Sequence, residues 1–460
     1  MAVTRETRSE LRTLKALSSG AVVAPTDSAY DEARLAWNLA ADQRPAAVVM
    51  AENESDIAFA VAYAREAGLR VSVQGTGHNP LPLGDMSGSL LIRTSRMRQV
   101  DIDPSARRAR VQAGAIWSDV AAPANAHGLA ALVGSSPDVG VVGYSLGGGI
   151  GYLGRKHGIQ ANSVTAVELV TADGEHVRVD ADHDPDLFWA LRGGGGNFGV
   201  VTAMEFRLYP VSELYGGWLI WPWEQSHEVI SRWVEWTRET PDEVTSMARI
   251  LQLPPLPDIP EMLRGRQIVV VSAAYLGGRE DGDRLLAPLR ELSPEMDTFD
   301  TIEPLGLSHL HGDPETPVPG FSDTGMVDDL PPAAIDAFVA NAGPDARTAL
   351  LAAELRQMGG AFGRSGEGHG ALSRIDAAYV TFAVGMAMNE QMSAAVERDS
   401  RALMEAMSEY GHGRAYSNFA ERAVDASSFY PELTYRRLRA IRERVDPDGL
   451  LRANHEIAAD

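Results

Sequence analysis

Cysteine is absent from this chain of 460 residues. Its absence excludes disulfide bonds, thiolate metal sites, cysteine nucleophiles and any covalent cofactor link through sulfur. Long hydrophobic runs are missing too. The amino-terminal segment is charged, and no apolar stretch is long enough to span a bilayer. We therefore expect a soluble, cytoplasmic protein.

Positive charge is scarce in this sequence. Lysine and arginine number 41 against 63 aspartates and glutamates, which gives a formal net charge of −22. A surface of this sign repels phosphate backbones and anionic lipids, so we predict neither a nucleic acid nor a membrane as a partner. Several ligand motifs are also missing: no G-x-G-x-x-G opens a helix, and neither G-x-x-x-x-G-K-[ST] nor H-E-x-x-H occurs. We predict no metal site.

The apolar pattern of the first half predicts an α/β domain. Residues 45–74 have the pattern of a strand, a helix and a second strand. Further strands are predicted at 89–93, 99–103, 109–113, 163–172, 176–179 and 199–208, and helices at 55–67, 116–126 and 184–190.

The pattern changes after Pro210, which predicts a second domain, as does the chain length. Apolar strands are predicted at 267–275, 349–357 and 377–388, helices at 390–409 and 433–445, and long proline-rich loops at 253–263 and 293–335. We place the domains at 1–210 and 211–410, followed by a segment at 411–460 that packs back on the first domain.

Three glycine-rich loops of the first domain carry the main chemical signal. They lie at 75–77, 140–151 and 193–199, at strand ends or between a strand and a helix. Each glycine costs about 1 kcal/mol relative to alanine in a regular element, so close approach of the backbone to a ligand is the better explanation. Backbone N–H groups in such loops can surround phosphates. The loops therefore predict a dinucleotide bound without a Rossmann motif.

A competing signal is G-Y-S-L-G at 143–147, which matches the G-x-S-x-G nucleophile elbow of α/β-hydrolases. It offers Ser145 as a nucleophile, with Asp329, His412 and His455 downstream. Against it, the glycines that follow weaken the helix that the elbow requires, and no H-G-G-G segment precedes it. A serine hydrolase stays as the alternative function.

Four segments resemble one family of flavoproteins. Q-G-T-G-H-N at 74–79 is similar to the R-G-G-G-H-S loop of FAD-linked oxidases with the vanillyl-alcohol-oxidase or p-cresol-methylhydroxylase (PCMH) type of flavin domain. V-G-V-V-G-Y-S-L-G-G-G-I-G-Y-L-G-R-K-H-G at 139–158 resembles their second glycine-rich segment. D-L-F-W-A-L-R-G-G-G-G-N-F-G-V-V-T at 186–202 agrees almost letter for letter, and 431–457 resembles the carboxy-terminal segment of the berberine-bridge-enzyme-like branch.

This resemblance implies an α+β fold of two domains. One is a PCMH-type FAD-binding domain made of two α/β subdomains. The other is a substrate domain with a mostly antiparallel sheet covered by helices.

The resemblance also implies FAD as the cofactor, joined covalently through His78. Some members carry a second link through the cysteine of a Cys-Pro-x-Val-Gly motif, but this chain has Ser136 there, so no cysteinyl link can form. Gln74 and Thr76 stand where the family has arginine and glycine. The implied FAD contacts are Gln74, Gly75, Thr76, Gly77, His78, Asn79, Val139, Gly140, Gly143, Tyr144, Gly147, Gly148, Gly151, Gly199, Val200, Asn418 and Asn454.

Catalysis in the family is hydride transfer from a substrate C–H to the flavin, assisted by a base. Tyr416 matches the tyrosine of the family's Y-x-N strand, which often serves as that base and then needs a cation that lowers its pKa. The strand at 353–360 resembles the one that lines the substrate, and its alternation separates Glu354 and Arg356 from Gln357. We predict Glu354 as a second acid/base group. The predicted substrate contacts are Tyr144, Tyr152 and Gln357.

Valine at position 139 is common in members that react with oxygen, so the resemblance implies an oxidase. It would oxidise an alcohol, a sugar or a hydroxylated secondary metabolite and reduce dioxygen to hydrogen peroxide. Five tryptophans between positions 218 and 236 favour a bulky, partly aromatic substrate. A flavin dehydrogenase with another acceptor and a flavin carrier without activity stay open, and the sequence does not specify the oligomeric state.

Overall fold

The computed structural model describes residues 13–257 and 259–458, and the described chain up to residue 210 is built around two sheets. In chain order its elements are β1 (Ala21–Val23), α1 (Tyr30–Ala33), β2 (Ala47–Met50), α2 (Glu54–Glu66), β3 (Arg70–Gln74), β4 (Ser89–Arg93), β5 (Val100–Asp103), β6 (Arg108–Gln112), α3 (Trp117–Asn125), β7 (Leu129–Ala130), α4 (Val141–Leu146), α5 (Gly154–His157), β8 (Val164–Val170), β9 (His176–Asp180), α6 (Pro185–Leu191), β10 (Val200–Arg207) and β11 (Tyr209–Pro210). The strands and helices predicted in this region are confirmed to within two residues at each end.

The first sheet has the strand order β1-β2-β4-β3. Strands β2, β4 and β3 are parallel, and β1 is antiparallel at the edge. Strands β2 and β4 are almost entirely buried, as is usual for parallel strands covered on both faces. Helix α2 begins after Asn53, whose side chain accepts a hydrogen bond from the Asp56 N–H. The loop that holds His78 leaves the carboxyl end of β3.

The second sheet is antiparallel, in the order β5-β6-β10-β8-β9. Strands β8 and β9 form the predicted hairpin. Trp117 of α3 and Leu191 of α6 pack with Phe206 of β10 in its core. Val170 and Val200 pack with the strands of the first sheet, so the two sheets share a boundary.

Strands β7 and β11 pair separately as a two-stranded ribbon. A large sheet, called the third sheet, begins at Leu214. Its region contains β12 (Leu214–Pro222), α7 (Ser226–Glu239), β13 (Val244–Gln252), β14 (Gln267–Tyr275), α8 (Arg279–Arg290), β15 (Met296–Asp297), β16 (Asp300–Ile302), β17 (Gly320–Val327), α9 (Pro332–Ala342), β18 (Ala352–Gln357), β19 (Tyr379–Met386) and α10 (Glu390–Ser408). The strands are antiparallel in the order β15-β12-β14-β13-β18-β19-β17, and β16 also pairs with β12. Helices α7 to α10 cover one face. The opposite face is turned toward the first domain, because Tyr152 contacts Ser272 of β14 there.

The prediction of a long loop over 293–335 is wrong. This stretch contains the short strands β15 and β16, the eight-residue edge strand β17 and the start of α9. Strand β17 reads G-F-S-D-T-G-M-V, which lacks regular apolar alternation, and prolines precede it. Helix α9 starts with a proline, which the first turn of a helix accepts.

The chain returns to the first domain through α11 (Glu432–Val445). The Val71 N–H donates to the Leu450 carbonyl at 2.8 Å, and the Arg452 N–H donates to the Val71 carbonyl at 2.7 Å, so this segment lies along β3. The domain limits at 210 and 410 stay predictions. Among the described residues, none of the helices combines the length and apolar character needed to cross a membrane.

Candidate functional site

The loop after β3 presents a row of unused backbone donors. The carbonyl oxygens of Thr76 and Gly77 accept hydrogen bonds from the N–H groups of Trp37 and Asn38, which fixes the loop. The five N–H groups from 75 to 79 donate to no acceptor in the part of the chain that the structure describes. Gly77 has a φ of 87°, which helps successive N–H groups to converge on an anion. These donors fit the pyrophosphate of the predicted FAD.

His78 lies in this loop between an aromatic ring and a carboxylate. The Trp37 ring stacks on it with 4.1 Å between centroids. Its Nδ1 lies 2.8 Å from the Thr76 hydroxyl. Its Nε2 lies 3.3 Å from Asp138 Oδ1, and this buried atom has no aligned hydrogen bond among the described residues. His78 therefore has one nitrogen engaged and one facing a carboxylate.

Asp138 belongs to the S-P-D-V-G segment and accepts hydrogen bonds from the Trp37 indole and the Ser136 hydroxyl. Burial opposes its ionisation, but the interaction with His78 and these hydrogen bonds outweigh burial and lower the pKa of the carboxyl. Asp138 is thus held as an anion against the imidazole.

The second glycine loop packs so tightly on its neighbours that added side chains would not fit. A Cβ at Gly147 would overlap the Asn418 amide, and one at Gly151 would overlap a backbone carbonyl oxygen. A Cβ at Gly140 would lie 3.6 Å from the Thr76 hydroxyl, so this loop begins beside the loop of His78. Two of the three predicted loops therefore come together with the Y-x-N segment.

Tyr416 lies at this junction, and its hydroxyl oxygen accepts two hydrogen bonds. The donors are the Gly149 N–H at 2.8 Å and the Asn418 amide at 3.0 Å. Burial raises the pKa of Tyr416 well above its ordinary value, and the two hydrogen bonds and the nearby charge of Arg356 offset this only in part. The lowered pKa that the sequence requires of a base is therefore not found. The phenol is protonated, and its hydrogen is free to donate.

The third glycine loop forms hydrogen bonds with the carboxy-terminal segment. The Gly193 carbonyl accepts a hydrogen bond from Tyr430, and the Asn197 side chain bonds the backbone of His455 and Ile457. The third loop therefore packs against the carboxy-terminal segment, and its contact with a ligand stays a prediction. Gly199, the last residue of this loop, packs against β8, and Val200 is fully buried. Their contacts to FAD stay predictions.

Asn454 ties the same segment to the loop of His78, because its amide donates to the Asn79 carbonyl. The Asn79 amide in turn donates to the carbonyls of Ser417 at 3.3 Å and Ala420 at 3.2 Å. Its side-chain oxygen is buried without a partner among the described residues. Three segments that are distant in sequence thus meet at one loop.

The face of β18 that is turned toward the first domain carries a chain of buried charges. Glu354 is 1% exposed, lies 2.8 Å from an Arg356 nitrogen, and lies 3.0 Å from Nε2 of His311. His311 Nδ1 lies 2.5 Å from Asp313 Oδ1. Burial opposes the ionisation of Glu354, but the charges of Arg356 and His311 outweigh it and hold the pKa of the carboxyl well below its ordinary value.

A carboxylate with so low a pKa is a weak base, so the predicted acid/base role of Glu354 is not supported. Glu354 instead fixes Arg356, whose guanidinium lies 4.7 Å from the centroid of the Phe419 ring. Phe419 in turn contacts the Tyr416 ring edge-on, with 5.1 Å between centroids. The charge of Arg356 is thereby held near the tyrosine.

The prediction of Gln357 as a substrate contact is wrong. The alternation of β18 turns it to the face covered by α7, as the sequence predicts, and its amide donates to the Thr237 carbonyl and the Thr240 hydroxyl. Its side-chain oxygen accepts a hydrogen bond from Ser246. Gln357 therefore joins the sheet to a helix, away from the first domain.

The two tyrosines of the second loop differ in what they contact. The Tyr144 hydroxyl donates to the Leu132 carbonyl at 3.1 Å, and a Cβ at Gly134 or Gly149 would overlap or press on its ring. A substrate contact of Tyr144 stays a prediction. Tyr152 lies 3.0 Å from the Ser272 hydroxyl, on the face of the third sheet that carries Glu354. A substrate contact of Tyr152 stays a prediction.

Two further expectations are corrected. The Ser145 hydroxyl is buried inside α4 and donates to the Val141 carbonyl at 2.7 Å, so the hydrolase elbow is not formed.

Four of the five tryptophans pack into the core beneath the helices of the second domain, and among the five Trp218 alone lies on the other face. The four tryptophans in that core therefore say nothing about the substrate.

Other implied FAD contacts differ in their surroundings. The Gln74 amide donates to the Leu35 carbonyl at 3.4 Å and lies against Gly77. Val139 is half-buried beside the core, and a Cβ at Gly143 would meet no heavy atom within 4 Å. Their roles, with that of Gly75, stay predictions.

Several residues of the site were missed from the sequence. Gln160 is fully buried beside Gly149, and both its amide atoms lack partners among the described residues, so it suits a polar ligand edge. Asp138 could have been found, since it lies inside the recognised S-P-D-V-G segment. His311 and Arg249 lie in regions with no recognisable motif. Strand pairing places Arg249 opposite Glu354, and His311 reaches Glu354 from the turn that precedes β17.

Comparisons with known proteins point to flavin chemistry. Residues 45–180 match a family model described as an FAD binding domain. The (R)-6-hydroxynicotine oxidase of Paenarthrobacter nicotinovorans is 37% identical over 203 residues, which is 44% of this chain and 44% of that protein. The uncharacterized FAD-linked oxidoreductase YvdP of Bacillus subtilis (strain 168) is 31% identical over 314 residues, 67% of each chain. The match thus spans less than half of the first relative and two thirds of the second.

The likeness to solved structures extends over almost the whole chain. Physcomitrella patens BBE-like 1 has a TM-score of 0.86 at 22% identity, covering 98% of this chain and 99% of that one. 6-Hydroxy-D-nicotine oxidase from Arthrobacter nicotinovorans has a TM-score of 0.82 at 25% identity, covering 96% and 98%. The fold of residues 211–410 is therefore shared, although their sequence resemblance is weak.

Proposed function

This chain belongs to the FAD-linked oxidoreductases with a flavin domain of the vanillyl-alcohol-oxidase type, and we propose that it is an FAD-dependent oxidase. Its substrate is an alcohol, a sugar or a hydroxylated secondary metabolite. When bound, FAD accepts a hydride from a substrate C–H and passes the electrons to dioxygen, which gives hydrogen peroxide. The observation that carries the proposal is the row of five unused N–H donors around His78.

The residues that hold the cofactor are those of the first two glycine loops. The N–H groups of 75–79 bind its pyrophosphate, because converging backbone donors stabilise an anion without a side-chain charge. This explains how Gln74 can replace the family's arginine. Asn79 and Gln160 supply buried polar atoms that lack protein partners among the described residues.

His78 would hold FAD through a bond from its ring to the flavin 8α-methyl carbon, with Asp138 and Thr76 orienting the ring. One C–H of that carbon would break as the C–N bond forms, and the two electrons would pass to the flavin and then to dioxygen. An imidazole that forms a bond through one nitrogen must lose the proton on the other. Asp138 is anionic and lies 3.3 Å from Nε2, so it is placed to take that proton. Trp37 stacks on the ring and restricts its rotation.

Tyr416 holds the substrate oxygen in place. Its own oxygen already accepts hydrogen bonds from Gly149 and Asn418, so the phenol hydrogen is left to donate to the substrate. The Phe419 ring lies beside both Tyr416 and the guanidinium of Arg356. Because burial raises the pKa of Tyr416 and keeps the phenol protonated, Tyr416 orients the substrate and does not take its proton.

The test separates an oxidase from the alternatives. The purified protein is reduced photochemically without oxygen and then mixed with air-saturated buffer while the flavin spectrum and the peroxide are followed. An oxidase reoxidises rapidly and releases one peroxide per flavin. Slow reoxidation by air with rapid reoxidation by a dye would indicate a dehydrogenase, and a protein that takes up no FAD would overturn the proposal.

A further inference from the structure

Arg249 lies on β13 opposite Glu354 of β18, on the face of the third sheet that is turned toward the first domain. Its side chain is 3% exposed. The Nη1 nitrogen donates to the His311 carbonyl at 2.7 Å, and the guanidinium lies 5.1 Å from the centroid of the Trp218 ring. The side chain is thus held in one place by a hydrogen bond and a ring.

The other two nitrogens of this guanidinium have nothing to bind. Nε and Nη2 of Arg249 are buried and have no hydrogen-bond partner among the described residues. Burying a charge without a partner is costly, and buried charges are as a rule paired. Glu354 is not available as that partner, because Arg356 and His311 already bind it.

The carboxylates near Arg249 are engaged by other groups. The charge cluster consists of Arg249, His311, Asp313, Glu354 and Arg356. Asp313 Oδ1 lies 2.5 Å from Nδ1 of His311, and Glu354 lies 2.8 Å from a nitrogen of Arg356. Nε2 of His311 lies 3.0 Å from Glu354 and 3.3 Å from Nη2 of Arg356. A carboxylate ligand would supply the partner that the described residues do not give to Nε and Nη2 of Arg249.

The unused edge of Arg249 has the geometry of a carboxylate receptor. Elsewhere in this chain the same two nitrogens, Nε and Nη2, grip both oxygens of a carboxylate. Arg98 binds Asp119 in this way at 2.9 Å and 2.6 Å, and Arg110 binds Glu168 at the same distances. This planar fork matches a carboxylate and favours it over a single-atom anion.

We propose that Arg249 is the carboxylate-binding residue of the substrate site, so that the oxidised substrate carries a carboxylate beside its reactive C–H. The inference rests on the proposed function, since it deepens the substrate class of the same site. Trp218 beside the guanidinium offers an apolar wall for the carbon skeleton of an acid. Hydroxy acids and sugar acids belong to this class, and neutral sugars do not.

The experiment compares benzoate with benzamide, its uncharged analogue, as probes of the holoenzyme. Binding is followed by the change in the visible flavin spectrum and by the shift in thermal midpoint. We expect benzoate to bind at least about tenfold more tightly than benzamide, since a charge-assisted pair is lost in the amide. Arg249→Met should remove this preference, and Arg249→Lys should retain part of it. Equal binding of both probes to the wild type overturns the proposal.

The controls separate this inference from the proposed function. Arg266→Met changes an arginine that pairs with Glu295 on the surface, and it should leave the benzoate preference intact. Folding of the Arg249 variants is checked by thermal midpoint, and removal of an unpaired buried charge should not lower it. The thermal assay needs no flavin. A preference for benzoate that persists in a protein that binds no FAD would therefore support the carboxylate site at Arg249 and overturn the proposed oxidase activity. If Arg249→Met lowers the flavin midpoint potential but leaves benzoate binding unchanged, the charge serves the reduced flavin and the substrate proposal fails.

Discussion

The two sides of the candidate site are built in different ways. On the side of the first domain, the loop of His78 and the second glycine loop offer mainly backbone: unused N–H groups and positions where a Cβ would not fit. On the side of the third sheet, the surface consists of long charged side chains such as Arg249, Glu354 and Arg356, all buried. The backbone side suits a cofactor that is the same in every turnover. The side-chain side consists of residues that single mutations can replace.

This difference determines how each side fails. A backbone site is lost when a side chain is added, whereas a side-chain site is lost when one is removed. Tyr416 lies between the two, because it bonds the glycine loop at Gly149 and senses the charge of Arg356. The following changes test the contrast.

The largest effect is expected from Tyr416→Phe. The ring keeps its packing on Phe419, but the hydroxyl that donates to the substrate oxygen is gone. We expect kcat to fall by about 10²–10³-fold, with FAD content unchanged. Rapid-reaction measurement of flavin reduction gives this number directly, and a rate within a few-fold of the wild type would show that the hydroxyl does not hold the substrate.

The charged face is tested by Glu354→Gln. The substitution leaves Arg356 and His311 without their shared carboxylate, and breaking a buried pair in this way costs about 3–5 kcal/mol of unfolding free energy. Chemical unfolding monitored by tryptophan fluorescence measures it. Glu295→Gln, which removes the exposed partner of Arg266, is the matched control and should cost no more than about 1 kcal/mol. Equal costs would show that the cluster is not the support described here.

The glycine loop is tested by two alanines. Gly151→Ala places a Cβ on the Val133 carbonyl oxygen and should destabilise the protein by about 1–3 kcal/mol and weaken FAD retention. Gly143→Ala adds a Cβ within α4 that meets no heavy atom within 4 Å, and it should be neutral or stabilising by up to about 1 kcal/mol. If Gly143→Ala releases FAD while Gly151→Ala does not, the assignment of the close approach is wrong.

The smallest effect concerns Glu421, at the margin of the charged face. Burial, with Asp323 nearby, raises the pKa of Glu421 to about 7, although the Ser322 N–H donates to it at 2.8 Å. The folded state holds this proton more tightly than the unfolded state, so the contribution of Glu421 to stability is present below its unfolded pKa and is lost as pH rises toward 7. Glu421→Gln should therefore stabilise the protein by about 1–2 kcal/mol at pH 8 relative to pH 4.5. A difference from the wild type that is equal at both pH values would contradict the raised pKa.

The sequence predicted the backbone side of the site better than the side-chain side. The segments at 74–79 and 139–158 were recognisable because close approach of another group forbids a Cβ there whatever the surrounding residues. At Gly147 and Gly151 the approaching group belongs to the protein itself. The alternation of β18 also correctly separated Glu354 from Gln357, but it could not say which face meets the first domain. That choice depends on helix packing over residues distant in sequence, such as Thr237 on Gln357.

The charged cluster could not be predicted for a similar reason. Arg249 meets Glu354 through strand pairing, and His311 enters from a proline-rich stretch that was predicted as a loop. The third glycine loop also contacts the carboxy-terminal segment, which its glycines did not reveal in the sequence. A missing Cβ marks a close approach and does not identify what approaches.

The most direct test of the central claim is the fate of the flavin after acid denaturation. We expect the yellow colour to stay with the precipitated wild-type protein and to move to the supernatant in His78→Ala. Asp138→Asn, which keeps the shape but loses the anion beside Nε2, should link FAD about 10²-fold more slowly when apoprotein is mixed with FAD. Wild-type colour that leaves with the supernatant, or a His78→Ala variant that keeps its flavin in the precipitate, would show that His78 does not form the link.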